Sequence, residues 1–164
     1  MKAISTVHRF RIVMILFIVG LFLSGITAFP LLSELRLLDH LLNPHHLPVT
    51  DGSPSLLKWI DRVHHGLEET YASYPWIAYG TDWLAFAHII IALFFIGPLI
   101  DPVSSRSTLL AGIAACILVV PLALICGPIR GIPFYWRLID CSFGLFGVLP
   151  LLYCLRLRRE IVGE

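Results

Sequence analysis

The chain has 164 residues, of which 57% are hydrophobic and only 14% charged, with a net charge of +1 and a mean hydropathy of +0.84. That balance excludes an ordinary water-soluble domain, and without a basic surplus or a nucleic-acid motif it excludes nucleic acid as a partner. It predicts an all-α integral membrane protein: one membrane domain, a four-transmembrane-helix bundle with amphipathic interfacial helices in its first extracytoplasmic loop.

The first span is expected at about Ile12–Phe29. No charge falls between Arg11 and Glu34, a stretch long enough to cross the hydrocarbon core. Ile26-Thr27-Ala28 resembles a signal cleavage site, but the apolar run exceeds a typical signal core, which favours a retained span. Gly20, Ser24 and Thr27 or Ala28 share a face suited to helix packing.

Residues 31–79 form the one long connection. Leu31, Leu35, Leu38 and Leu42 make an apolar stripe with Ser33, Arg36 and His40 opposite, the pattern of an interfacial helix. Asn43-Pro44 ends it, and His45-His46-Leu47-Pro48 and Asp51-Gly52 are turn material. A second amphipathic helix is expected from Ser53-Pro54, with Ser53 as N-cap and the proline in the first turn. Leu56, Ile60, Val63, Leu67 and Tyr71 form its apolar face. His64 falls at the edge of that face and His65 on the polar one. Tyr71, Tyr74, Trp76 and Tyr79 then form an aromatic belt at the membrane surface.

The second span is expected at about Gly80–Ile100, with Thr81 as N-cap and Asp82 in the first turn. Ala85, His88 and Ala92 share its packing face. The third is expected at about Thr108–Pro128, small-residue-rich in its first half and kinked at Pro121. The stiff connection from Gly127 to Pro133 makes it an antiparallel neighbour of the fourth span, at about Pro133–Leu155. On that last helix Arg137, Asp140, Gly144 and Gly147 lie on one stripe, which must face protein because a charged pair in hydrocarbon is costly. Cys116, Cys126, Cys141 and Cys154 show neither paired-cysteine nor zinc spacing and read as small apolar residues.

Basic residues precede span one, follow span four and occur as Arg106 between spans two and three, so these segments are expected on the cytoplasmic side of a bacterial inner membrane with both termini. Helix rise then puts Arg137, Asp140 and His88 about 6, 10 and 12 Å below the outer ends of their helices. Together with Asp82, His64, Arg130 and Trp136 they make up a candidate ligand-binding pocket in the outer leaflet. No nucleophile elbow, metal motif or paired-cysteine motif is present, so no catalytic or metal-ligating residues are assigned and an enzyme is the less favoured reading. Three functions follow from the pocket. One is a non-enzymatic accessory subunit or binder of a lipid-like or quinone-like ligand, in contact with the bilayer and with a membrane protein or a second copy. Another is a b-type haem protein with His88 as one axial ligand and His64 or His65 as the other. The third is a proton-coupled transporter using Asp140 and His88.

The runs Tyr79–His88, Asp101-Pro102-Val103 and Arg130–Gly144 resemble a group of small bacterial multi-span membrane proteins usually labelled hypothetical. The resemblance covers about the second half of the chain. It implies a small bacterial membrane protein and carries no activity.

Overall fold

The computed structural model describes residues 5–44 and 47–163, and the expected turn at His45-His46 lies outside them. Its elements are α1 (Thr6–Ala28), α2 (Leu31–Leu42), α3 (Ser55–Ser73), α4 (Trp76–Phe94), α5 (Ile96–Ile100), a 3-10 turn (Val103–Ser105), α6 (Arg106–Ile129) and α7 (Phe134–Val162). The fold is all-α, and four segments are long and apolar enough to cross a membrane: α1, Trp76–Ile100, Val103–Ile129 and α7. Only 17–22% of the most apolar stretch of each is buried against protein. Side chains such as Leu16, Leu84, Ile125 and Phe146 stand exposed, an arrangement that water would penalise and lipid does not.

The helices start earlier or end later than the hydropathy alone predicts. α4 begins at Trp76, so Thr81 and Asp82 lie inside the helix rather than at its cap. Thr81 Oγ1 donates to the Ala78 carbonyl at 2.6 Å instead. The structure corrects the N-cap of α3 as well: Pro54 holds that position, and the Ser53 hydroxyl accepts a hydrogen bond from the Thr50 N–H. α6 runs without a break through Pro121. α7 continues past Leu155 through the arginine cluster, because a helix already paid for in hydrocarbon extends readily into the polar layer; its 29 residues reach about 43 Å, the full bilayer with its headgroups.

The chain forms two compact units, Met1–Leu21 with Ile90–Glu164, and Phe22–Ile89. In the first, all four spans contribute a segment. Its core is Phe10 and Met14 of α1, Phe95, Leu109 and Ile113 of α6, and Leu151, Cys154 and Leu157 of α7. Phe17 meets Phe95 edge to face at 4.8 Å between ring centres. α6 and α7 are the most intimately packed pair in the unit. The stripe Arg137, Gly144 and Gly147 faces α6: a Cβ on Gly144 would run into the carbonyl of Cys116, and one on Gly147 into the Cys116 sulfur. The glycines therefore let backbone approach backbone, the contact that holds helices together where lipid is as apolar as leucine.

The α6–α7 turn is a Schellman cap. Gly131 takes the left-handed conformation (φ 70°), its N–H bonds the Pro128 carbonyl at 3.1 Å, and the Ile132 N–H reaches the Gly127 carbonyl at 2.9 Å. These bonds satisfy carbonyls that the helix end would otherwise orphan. At the other end of the unit Arg9 hydrogen-bonds the Tyr153 hydroxyl and lies over its ring. Arg158 Nε donates to the Val103 carbonyl at 2.9 Å. The N-terminal basic segment, the α5–α6 connection and the C-terminal arginines are thereby tied together at one end of the unit.

In the second unit α2 packs on α3, burying Leu35 and Ile60, and the end of α1 meets α4, with Gly25 against the Ala85 carbonyl and the His88 and Ile89 side chains. Asn43 stops α2 and clasps both the N–H and the carbonyl of Leu47 at 2.9 Å.

The glycine contact yields a test. Gly144→Ala should destabilise the protein by about 1–3 kcal/mol by overpacking against a backbone that cannot swing aside. Gly20→Ala, where a Cβ meets nothing, should be neutral or slightly stabilising. Equilibrium unfolding in detergent checks both, and equal stability of the two variants would refute the backbone-contact account.

Candidate functional site

The residues that the sequence groups into one outer pocket belong to two compact units. His88 and His64 belong to the Phe22–Ile89 unit, whereas Arg130, Trp136, Arg137 and Asp140 belong to the other. Because α4 starts at Trp76, His88 is at the midpoint of the span Trp76–Ile100 and not in its outer third. Its Nδ1 donates to the Leu84 carbonyl at 2.8 Å, one turn back on its own helix. Asp82 is half-buried on the same helix, and its side chain makes no ion pair among the described residues.

His64 is drawn into a polar network between α2 and α3. Arg36 donates from Nε and Nη2 to Glu68 Oε1 at 3.0 and 2.7 Å. The same carboxylate oxygen lies 3.4 Å from His64 Nε2, and His64 Nδ1 lies 3.5 Å from Asp39 Oδ2. The imidazole is 13% exposed, against 70% for its neighbour His65. Both ring nitrogens of His64 therefore lie near carboxylates, although neither makes a hydrogen bond among the described residues. His64 lies one turn from the buried Ile60, as its place at the edge of the apolar face predicts, and α2 presents Asp39 to it. His65 faces solvent as expected; its Nδ1 bonds the Asp61 carbonyl at 2.9 Å, and this bond, with the Asp61 carboxylate, raises its pKa.

The residues of the other unit lie at the turn end of the α6–α7 hairpin. An open groove of about 300 Å3 is lined by Val119, Leu122, Ala123, Cys126 and Gly127 of α6, by Arg130 and Ile132 of the turn, and by Asp140 of α7. The α6 residues recur at helical spacing, so they form one apolar stripe that runs about 16 Å from Val119 to Arg130. Arg137 packs against Gly127. The Cγ and Cδ of this residue occupy the place that a side chain on Gly127 would need. Its guanidinium lies 5.1 Å from the centre of the Phe134 ring, a cation–π contact within one helical turn. Its Nε is buried without a hydrogen-bond partner among the described residues.

Arg137 and Asp140 share the stripe that their spacing predicts, yet no ion pair joins them. Arg137 turns toward Gly127, and Asp140 toward the groove. Trp136 stands half-buried in the first turn of α7. The groove could have been anticipated in part from the sequence, since Gly127 and Arg130 flank a tight turn. The residues Val119, Leu122, Ala123 and Cys126 carry no signal of their own, being indistinguishable from the lipid-facing residues around them.

Among the described residues no group of three or more histidine, cysteine or acidic side chains is arranged to hold a metal ion, and Cys116, Cys126, Cys141 and Cys154 are free. No protein-family model matches the chain, and neither a curated protein nor a solved structure matches it.

The Arg36 bonds hold the Glu68 carboxyl below its ordinary value of 4.5. A carboxyl with a lower pKa folded than unfolded contributes stability that is present above the ordinary glutamate range and is lost as pH falls through the depressed value. A carbon NMR titration should give Glu68 a midpoint below 4.5, and Arg36→Ala should return it to the ordinary range. An unchanged midpoint in the variant would mean that Arg36 is not the cause.

Proposed function

We propose that this protein is a non-enzymatic membrane protein that binds a lipid-like or quinone-like amphiphile in the α6–α7 groove, either as an accessory subunit or as a carrier of that ligand, in a bacterial inner membrane. The observation that carries the reading is the make-up of the groove: an apolar stripe along a span, ending in Arg130 and Asp140. Binding sites for small amphiphiles are concave and mostly apolar, with a few polar groups that set orientation. An ionisable residue inside a span marks a functional site by default. The resident polar groups are donors and acceptors without a nucleophile–base pair, which fits binding better than bond-making.

The ties at the other end of the same unit support the sidedness. Arg9, Arg158 and the Val103 segment are joined there, and a cluster of arginines at one end of a bundle favours the cytoplasm. The groove, at the opposite end of a hairpin whose α6 arm is about 36 Å long, then opens in the outer leaflet, and the α2–α3 connection is extracytoplasmic. α1 is read as a retained span, because Phe10 and Met14 are both fully buried in the core and a cleaved α1 would leave that core open.

Two measurements test these statements. Ala123→Trp, which fills the groove from its floor without touching a charge, should strip a co-purifying amphiphile seen by native mass spectrometry while the unfolding temperature stays within a few degrees; an adduct retained in full would remove the groove as its site. For sidedness, Asp51→Cys in a background with the four native cysteines replaced by serine should react with an impermeant maleimide on intact cells. Ser104→Cys should react only after lysis, and the reverse pattern would invert the topology.

A further inference from the structure

We infer that the groove selects a zwitterionic phospholipid whose headgroup carries a primary ammonium, of the phosphatidylethanolamine class; this rests on the reading of the groove as an amphiphile site. The starting point is that its two charged side chains are opposite in sign and unpaired. Arg130 and Asp140 line the same groove, but no ion pair joins them to each other or to any other described residue. Two opposite charges at the rim of an apolar cleft that do not neutralise each other remain available to a ligand that brings the complementary pair.

Each charge specifies one part of that ligand. The guanidinium of Arg130 is an anion receptor suited to phosphate, held at the mouth by the hairpin cap, where the Arg130 N–H bonds the Cys126 and Gly127 carbonyls at 3.1 Å. The Asp140 carboxyl is an acceptor whose best partner is a cation that also donates hydrogen bonds. The depth agrees. α7 is as long as the bilayer with its headgroups, and Asp140 lies about 9 Å along it from Phe134, just beneath the polar layer. Gly127 packs on Arg137 and Val119 lies beside Gly144, so Cys126 lies between Arg130 and the level of Asp140, and the stripe continues past Asp140 through Leu122 and Val119 toward the membrane interior, where it takes the start of an acyl chain. A quinone has no cation for Asp140, an anionic glycerolipid offers it hydroxyls at best, and a phosphocholine has a quaternary nitrogen with no N–H to give.

The discriminating probe is a set of lipids with the same dioleoyl chains: phosphatidylethanolamine, its N-methyl and N,N-dimethyl derivatives, phosphatidylcholine and phosphatidylglycerol. Delipidated full-length protein is offered an equimolar mixture, and the retained lipids are counted by native mass spectrometry. Wild type should prefer the ethanolamine lipid over the choline lipid by about tenfold, with retention falling at each added methyl, the scale expected for loss of a charge-assisted hydrogen bond. Asp140→Asn should still retain lipid but lose the preference, and Arg130→Gln should weaken all the phosphate-bearing lipids together. Equal retention of the methylation series by wild type would overturn the inference without any variant, and so would a preference that persists in Asp140→Asn. Wild type that retains no phospholipid at all would also overturn the inference, and the groove reading falls with it only if an offered quinone is not retained either.

Discussion

The contact between the backbones of α6 and α7 is the constraint from which the described site follows. In hydrocarbon a leucine gains nothing by leaving lipid for protein, so helices associate where small residues let main chains touch and where dispersion contacts are dense. Gly144 against the Cys116 carbonyl supplies such a contact. It fixes the rotation of α7 about its own axis, and every other residue on the stripe inherits its direction from it. Arg137 is turned to Gly127, and Asp140 to the space between the helices. With a larger residue at 144 the stripe would be displaced, and the charged groups with it.

The Schellman cap does the complementary work at the end of the hairpin. A left-handed residue at Gly131 reverses the chain within a few residues, and Pro133 starts the next helix at once. The turn is too short to fold back over the helices, so the groove beside it stays open toward lipid. Gly127 has two roles here: it lines the groove, and its missing side chain seats the Arg137 stem. The buried Arg137 Nε has no acceptor among the described residues, and the Phe134 ring offers the guanidinium a π face in place of a carboxylate. That choice leaves Asp140 without its nearest candidate partner.

The α2–α3 pair obeys different rules. Its interface mixes Leu35 and Ile60 with the Arg36–Glu68–His64–Asp39 network. A charge network of this kind specifies one register of two short helices, where apolar contacts alone would tolerate several. It also places the His64 ring between the Asp39 and Glu68 carboxylates.

Much of this was legible in the amino-acid sequence. The four spans, the two amphipathic helices between the first and second, the antiparallel α6–α7 hairpin and the inward stripe Arg137–Asp140–Gly144–Gly147 all follow from hydropathy over a window, from turn residues and from helical periodicity. Those are local properties, set by a residue and its neighbours within a turn or two. The helix starts were less legible, because aromatic residues such as Trp76 and Tyr79 suit both an interfacial loop and the first turn of a span. What only the tertiary structure decided is which polar group faces which: His64 between Asp39 and Glu68, and Arg137 on Gly127 rather than on Asp140. Partners of that kind lie far apart along the chain or compete at similar spacing, and the choice among them is made by packing distances that no sequence pattern encodes.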